Sequence, residues 1–252
     1  VKRFNLYDDL AAVREATETE NFCIVSPLSY AGKERTAANA RMMYAITVDL
    51  DNVRTDGDKP IGLLNLWNGH ITRAERIPKP TAIVSSGTGV HLYYILEQPI
   101  PLFRNIVEQL QVFKQKLTWL IWNEGIVDIK SDADIQQEGI FQAFRMVGTI
   151  TKNGDRARAF LTGDKVSMEY LNEFVDEKNR VTQFKYKSNL TLKQAKEKYP
   201  DWYGRRIERG EAKGVWHVNR ALYDWWKKKI YEGARVGHRY NCLMVLTTYA
   251  MK

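Results

Sequence analysis

Two aspartates, Asp49 and Asp51, lie two residues apart at the end of the apolar segment YAITVDLDNV. Side chains alternate between the faces of a β-strand, so both carboxylates lie on one face, with Cα atoms about 6.5–7 Å apart. Like charges that close repel, and each raises the pKa of the other. A magnesium or manganese ion, held by one or two carboxylates plus substrate phosphates, removes the conflict. The pair predicts a metal site; a solvated acidic loop is the alternative.

A second chemical signal is the stretch SSGTGVHLYYIL, which contains Ser86, Gly87, Gly89 and His91. Glycines let backbone N–H groups approach a phosphate closely, and a Ser hydroxyl and an imidazole N–H add further donors. The stretch therefore predicts a phosphate-binding turn between two strands. An ordinary hairpin followed by a hydrogen-bonded core histidine is the alternative.

A third stretch, FRMVGTITKNG, places Arg145 and Lys152 around an apolar strand and a Gly turn. Such cations suit a triphosphate or a nucleic acid backbone. Upstream, DIKSDADIQQ offers Asp128, Asp132 and Asp134. Each of these acids is a candidate third carboxylate, and a surface acidic loop is the alternative interpretation.

Basic residues are unevenly distributed along the chain. The net charge is +8, and residues 185–252 contain 16 Lys and Arg against 6 Asp and Glu. A neutral body with a basic C-terminal quarter suggests contact with a polyanion such as nucleic acid. The loop GKERTAANAR adds Lys33, Arg35 and Arg41 ahead of the aspartate strand, as template or triphosphate contacts or as a solvated loop.

The elements that must position these residues follow from apolar spacing. PTAIVSSGTGVHLYYIL indicates strand, tight turn and strand, and NIVEQLQVFKQKLTWLIWN indicates an amphipathic helix. Strands and helices mixed in this way predict an α+β domain. Segments after residue 165 all have helical spacing, and DEKNRVTQFKYKSN is a charged linker. We therefore expect a catalytic domain over 1–180 and a basic helical module over 185–252.

Length and composition exclude several classes. The chain has 252 residues, of which 44% are hydrophobic, and no apolar run approaches the ~20 residues that span a bilayer. We expect a cytoplasmic protein without membrane contact. Two cysteines, outside any CxxC pair, are too few for a four-thiolate zinc site, so no zinc is expected. The first residue is Val1 and the last helix is interrupted, which suggests a fragment of a longer protein.

The order of these motifs resembles the archaeo-eukaryotic primase superfamily, in its primase-polymerase branch of plasmids, phages and other mobile elements. The resemblance covers roughly residues 22–165, and PTAIVSSGTGVHLYYIL is its most specific part. The tail RALYDWWKKKIYEGARVGHRYNCLMVLTTYA also resembles the helical primase C-terminal module, with Gly233, Arg235 and Arg239 at its turn. The segment RMVGT lacks the proline that is common in the family.

The resemblance implies an RRM-like catalytic core that synthesises DNA or RNA with two magnesium or manganese ions. Asp49 and Asp51 would be the paired metal ligands, with Asp134 as the chosen third acid and Asp132 close behind. Ser86, the Gly87–Gly89 turn, His91, Arg145 and Lys152 would contact the incoming NTP or dNTP. Lys33, Arg35, Arg41, Arg235 and Arg239 are the predicted nucleic acid contacts.

The expected function is therefore a primase that makes primers on single-stranded DNA by two-metal nucleotidyl transfer, with a helicase domain or protein as partner. Two alternatives stay open. A metal-dependent nuclease also needs paired carboxylates, although the triphosphate cradle argues against it. A non-catalytic replication or origin-binding module is favoured by the ambiguous third acid and opposed by the intact aspartates and histidine. The sequence does not specify the sugar of the product.

Overall fold

The computed structural model describes residues 10–18, 22–31, 34–130, 134–211 and 220–250. The chain divides into two compact units, Val1–Lys187 and Ser188–Lys252. The first unit combines helices with antiparallel sheets, and the second is helical in its described part. The predicted α+β fold with a helical C-terminal region is confirmed.

The first unit contains seven strands in its described residues. Their bounds are β1 Ile24–Val25, β2 Leu28–Tyr30, β3 Ala40–Leu50, β4 Ala82–Ser85, β5 Val90–Pro101, β6 Phe144–Arg145 and β7 Ala159–Leu161. The main sheet has five antiparallel strands in the order β2-β3-β5-β4-β7, and β1 pairs with β6 in a separate two-stranded ribbon. The long strands β3 and β5 are neighbours at the centre of the sheet, so the two chemical motifs that they carry are adjacent.

Helices of the first unit are α1 Leu10–Glu18, α2 Ile61–Leu64, α3 Arg104–Ile121 and α4 Met168–Asn172. A π-helical segment, Asn65–Arg73, continues α2 directly. The start of α2 is packed tightly: a Cβ on Gly62 would overlap the carbonyl oxygen of Ile126. This glycine permits the close approach between α2 and the loop that follows α3.

One face of the sheet forms the hydrophobic core with α3. Alternate residues of β3 and β5 point into this core: Ile46, Val48, Leu50, Leu92, Tyr94 and Leu96. The matching stripe on α3 has the spacing of one helix face: Ile106, Leu110, Phe113, Leu117 and Ile121. Each such fully buried side chain contributes roughly 1.5–3 kcal/mol to folding, so the strands and α3 are held firmly.

The second unit consists of short helices: α5 Leu192–Lys198, α6 Pro200–Tyr203, α7 Arg220–Gly233 and α8 Arg239–Ala250. Helix α5 begins with a capping box between Thr191 and Gln194. In the described part of the second unit, the buried hydrophobic residues are Ala195 and Tyr249. The Tyr249 ring stacks on that of Trp226, with the ring centres 6.3 Å apart. Within the described ranges, no helix has both the length and the apolar character needed to cross a membrane.

Candidate active site

Asp49 and His91 face each other across β3 and β5. The strand register pairs Asp49 with His91 and Thr47 with Tyr93, so these four side chains share the face opposite α3. The Oδ1 atom of Asp49 lies 3.4 Å from Nε2 of His91. The alternation of the two strands therefore brings the first two sequence motifs together on one surface.

This surface is partly covered by a second apolar layer. Phe144 of β6 packs its ring 5.3 Å from the His91 ring and 6.0 Å from the Tyr93 ring. Thr47 and His91 are consequently buried. The cover comes from a ribbon that is remote in sequence, so strand alternation alone does not reveal it.

Asp49 has an unusual electrostatic environment. Its pKa is raised to about 7, first because burial disfavours the charged form, and then because Glu138 and Asp51 are negative neighbours. Its buried Oδ1 has no hydrogen-bond partner among the described residues. Its backbone carbonyl accepts a 2.7 Å hydrogen bond from Nε1 of Trp122, which anchors the end of β3. Asp49 is thus held firmly while its carboxylate remains available to a cation.

His91 is held in its neutral form. Burial lowers its pKa to about 4; the nearby Asp51 charge opposes this shift, and Arg145 adds to it. Its buried Nδ1 has no hydrogen-bond partner within the described part of the chain. A neutral imidazole in this position can donate one hydrogen bond to an anionic oxygen but brings no positive charge.

The glycine turn lies directly against Asp51. A Cβ on Gly89 would overlap the carbonyl oxygen of Leu50 and come 2.9 Å from Oδ1 of Asp51. The turn closes through a 3.0 Å hydrogen bond from the Ser86 N–H to the Gly89 carbonyl, and Gly87 has a φ of 122°. Both glycines are therefore required by geometry, one for close approach and the other for a backbone conformation that L-residues rarely adopt.

Thr151 is a member of the site that sequence reasoning missed. A Cβ on Gly87 would lie 3.6 Å from the Thr151 hydroxyl, so this residue borders the turn. Thr151 is 5% exposed, and its hydroxyl has no hydrogen-bond partner among the described residues. Its neighbour Lys152 is exposed. The only sequence signal was the position of Thr151 beside Lys152.

A third acidic residue near the pair is Glu138, which the sequence analysis did not select. The charge of Glu138 raises the pKa of Asp49. The pKa of Glu138 is itself raised, mainly by burial and further by the charge of Asp51. The predicted third acid, Asp134, is exposed and accepts a 2.7 Å hydrogen bond from the Lys130 N–H.

Of the other two candidate acids, Asp128 is paired with an arginine and Asp132 is not described. Asp128 is exposed and lies 3.3 Å from Nε of Arg54, and Asp132 is outside the described residues. Gln136, between Asp134 and Glu138, donates a 3.0 Å hydrogen bond to Oδ2 of Asp51. This segment therefore reaches the aspartate pair.

The side chain of Arg145 is buried and not exposed to solvent. Its Nη1 donates to the Ile150 carbonyl at 3.1 Å, and its guanidinium carbon lies 3.7 Å from the centre of the exposed Phe22 ring. The Nε atom is buried without a partner in the described residues. Its charge helps to keep His91 neutral. The sequence analysis thus located Arg145 beside the site but not the stacking of its guanidinium on Phe22.

The predicted nucleic acid contacts are exposed where they are described. Arg41 already donates to the carbonyls of Ala38 and Ala40, at 2.8 and 2.9 Å. Arg35 is exposed ahead of β3, and Arg235 and Arg239 are exposed in the second unit. Lys33 lies outside the described residues.

The donor atoms at this site fit a hard divalent cation and supply part of its coordination shell. Two buried carboxylate oxygens, Oδ1 of Asp49 and Oε2 of Glu138, have no hydrogen-bond partner in the described part of the chain. In the same residues, no group of three or more His, Cys, Asp or Glu side chains forms a ready-made metal site. A cation held by Asp49 and Asp51 would take its other ligands from phosphate oxygens and water, as magnesium commonly does.

Comparisons with known proteins add one remote structural similarity. No protein-family profile and no curated protein matches the sequence. Among solved structures, the chain is similar to the AEP domain of the primase-polymerase of cyanophage S-2L, with a TM-score of 0.45 and 15% sequence identity. The match covers 66% of this chain and 76% of that chain. A similarity at this level does not by itself establish a common activity.

Proposed function

We propose that this protein is a nucleotidyltransferase of the primase-polymerase type, which makes primers on single-stranded DNA from nucleoside triphosphates. One observation carries the proposal: the glycine turn packs directly against the carboxylate pair, with the Cβ position of Gly89 only 2.9 Å from Oδ1 of Asp51. A phosphate cradle beside paired carboxylates suits a substrate that arrives as a triphosphate with a divalent cation.

The phosphate-binding role falls on the turn and its neighbours. Backbone N–H groups of Gly87–Gly89 and the Ser86 hydroxyl would hold phosphate oxygens, as would the neutral His91 and the exposed Lys152. The buried hydroxyl of Thr151 supplies one more donor beside Gly87. Because these donors are fixed by strands and turns, they would orient the triphosphate for in-line attack.

The carboxylates would hold magnesium or manganese. When bound, the cations lower the pKa of the attacking hydroxyl and stabilise the departing pyrophosphate. Asp49 and Asp51 are the proposed ligands, and their repulsion explains why a cation is favoured there. For a third carboxylate, Asp134 remains the sequence-based prediction, and Glu138 is a neighbouring negative charge that couples to Asp49 and Asp51.

The template-binding role is proposed for exposed basic residues. Arg35 precedes the catalytic strand β3, as Lys33 does in the sequence, Arg41 lies at the start of that strand, and Arg235 and Arg239 lie in the basic second unit. Their role would be to contact the phosphates of single-stranded DNA. A helicase domain or protein is a further proposed partner, since primers are needed where a duplex is opened.

The test is incorporation of labelled nucleotides on single-stranded DNA without a primer. Ribonucleotides and deoxyribonucleotides are supplied separately, with magnesium or manganese, to the wild type and to the near-isosteric double variant Asp49→Asn/Asp51→Asn. The matched control is Asp56→Asn/Asp58→Asn, which changes two exposed loop aspartates of the same spacing. We expect product from the wild type and the control, and none from the site variant.

Other outcomes distinguish the alternatives. Product only when a primer is supplied would identify a polymerase that does not initiate. Degradation of the DNA without nucleotides would identify a nuclease. Binding of DNA without incorporation or degradation in either metal would contradict the proposal and favour a non-catalytic replication module.

A further inference from the structure

Lys114 is a buried charged residue within the apolar stripe of α3. It is 3% exposed and neighbours the core residue Phe113 in sequence. Burying an ammonium group is costly unless it is paired and hydrogen-bonded. Neither the proposed chemistry nor the packing of the core requires a lysine at this position.

The ammonium group of Lys114 points toward the carboxylate cluster. Its Nζ donates a 3.1 Å hydrogen bond to the Gly139 carbonyl and lies 3.8 Å from Oε2 of Glu138. It also lies 5.3 Å from the centre of the Phe144 ring, which covers His91. Thr47 and Phe144, which belong to the face that carries Asp49, line one small cavity with it, together with the core residues Ile46 and Leu110. Lys114 thus reaches the site from the helix layer.

The charge of Lys114 acts on both carboxylates. It lowers the pKa of Glu138 and that of Asp49, in opposition to the effect of burial on each. Burial lowers its own pKa to about 8, while the charges of Glu138 and Asp49 oppose this shift and favour the charged ammonium. At 3.8 Å the contact with Glu138 is an ion pair rather than a hydrogen bond.

Lys114 changes the net charge of the carboxylate cluster. Asp49, Asp51 and Glu138 together carry three negative charges when ionised. One ammonium reduces this excess to two, which a single divalent cation balances. Without Lys114, the cluster would attract a divalent cation more strongly, because unscreened charges at these distances interact by kilocalories per mole inside a protein.

We propose that Lys114 is an internal counter-cation: it neutralises Glu138, positions it beside the aspartate pair, and thereby limits the affinity of that pair for a divalent cation. This inference rests on the proposed function, because it takes Asp49 and Asp51 as the cation ligands. A limited affinity lets the cation arrive and leave with the phosphates of each nucleotide. Lys114 is a positioning residue and touches no reacting atom.

The test is calorimetric titration of Mn²⁺ into the 252-residue chain at pH 7.5, without nucleotide. We expect Lys114→Met to bind Mn²⁺ roughly fivefold to tenfold more tightly than the wild type, because one repelling charge is removed. The matched control is Lys116→Met on the same helix, an exposed lysine whose removal should change the affinity less than about twofold.

A purely structural lysine predicts a different result. Its loss would lower the melting temperature and leave Mn²⁺ affinity unchanged or weaker, and either affinity result would overturn the inference. The double variant Lys114→Met/Glu138→Gln removes both partners, so it should bind Mn²⁺ within about twofold of the wild type. Much weaker binding by the double variant would make Glu138 a cation ligand and would also overturn the inference.

Two further outcomes separate this inference from the proposed function. If Lys114→Met does not fold, Lys114→Gln, which removes the charge and keeps a hydrogen-bond donor, takes its place with the same expected fivefold to tenfold tighter binding. Failure of both variants to fold would show that Lys114 acts through packing and would overturn the inference. If the wild type does not bind Mn²⁺ and Asp49→Asn/Asp51→Asn behaves identically, both the cation site and the inference fail. Wild-type binding with an unchanged Lys114→Met variant overturns the inference alone.

Discussion

Asp49 and His91 form a pair whose protonation states differ from those of the same residues in water. Burial raises the pKa of Asp49 to about 7 and lowers that of His91 to about 4, so both shifts favour the uncharged form. The site therefore stores repulsion between Asp49, Asp51 and Glu138 that a proton or a cation can relieve. We therefore expect the stability of the protein to depend on pH.

The first prediction concerns the stability of Asp49→Asn without divalent cations. A carboxyl whose pKa is raised from 3.8 to about 7 in the folded state stays protonated to a higher pH there than in the unfolded state. The folded state therefore loses stability relative to the unfolded state as pH rises through this range. Asn cannot ionise. We expect the unfolding free energy of Asp49→Asn, relative to wild type, to increase between pH 4 and pH 8 by on the order of 2–4 kcal/mol.

Urea unfolding at a series of pH values checks this prediction. His91 contributes with the opposite sign, since its lowered pKa makes stability rise with pH between about 4 and 6.5. Because its ring lies 3.4 Å from Asp49, the same comparison is repeated in a His91→Gln background, which removes this contribution. A difference that stays flat from pH 4 to pH 8 would show that Asp49 is not held in a destabilising environment.

The second prediction concerns Thr151→Val, which removes a hydroxyl at nearly constant volume. Because this hydroxyl is buried beside Gly87 without a partner in the described residues, the variant should be as stable as the wild type. If it binds a phosphate oxygen, the KM for nucleotide should rise roughly tenfold with little change in kcat. Steady-state incorporation kinetics and thermal unfolding supply the two measurements.

The control for this prediction is Thr149→Val. The hydroxyl of Thr149 donates a 2.6 Å hydrogen bond to the Met146 carbonyl, so its loss should lower stability and leave the KM for nucleotide unchanged. An unchanged KM in Thr151→Val would remove Thr151 from the phosphate-binding group.

At the scale of elements, the site depends on how closely the glycine turn approaches the end of β3. The third prediction is that Gly89→Ala loses at least tenfold in nucleotide incorporation and about 1–3 kcal/mol in stability, because the new methyl overlaps the Leu50 carbonyl and displaces Asp51. Gly69→Ala is the control, since a Cβ there meets no atom within 4 Å. Normal activity in Gly89→Ala would mean that the turn and Asp51 can separate without cost.

Sequence patterns predicted the elements that carry local periodicity. The strand that contains Asp49, the turn and strand up to His91, and the amphipathic helix α3 are all confirmed, because alternation and helical spacing are properties of neighbouring residues. Antiparallel pairing of β3 with β5 then places Asp49 opposite His91.

Residues that depend on tertiary contacts escaped prediction. Lys114 lies on a helix whose buried positions are mostly apolar, and Glu138 and Thr151 lie in loops without periodicity. Phe144 covers the site through a strand of only two residues. Nothing local distinguishes Glu138 from Asp134 as the acid beside Asp49, since folding brings this loop to the aspartate pair only through distant contacts such as Gln136 with Asp51.

At the scale of the whole molecule, the two units differ in how they are stabilised. The buried hydrophobic cluster that contains the sheet and α3 lies entirely within residues 28–181. The second unit buries few side chains in its described part, and it carries large exposed apolar groups, including Tyr231, Tyr240 and Leu243, among many basic residues. The first unit therefore has a core of its own, and the second has a surface suited to a polyanionic partner.

The last prediction is that deletion of residues 188–252 leaves a folded protein that extends a ready primer but initiates poorly. The deletion removes 14 Lys and Arg and 6 Asp and Glu, so it removes eight net positive charges. Phosphate contacts release counterions, so the deletion should weaken binding to single-stranded DNA and flatten the dependence of log affinity on log salt concentration. Fluorescence anisotropy between about 50 and 200 mM salt measures this slope.

As a charge control, the full chain with Lys227, Lys228 and Lys229 changed to Gln should lose part of the slope and keep its fold, because all three side chains are exposed. Equal loss of initiation and extension in the deletion, with an unchanged slope, would mean that the second unit supports the fold of the first and does not hold the template.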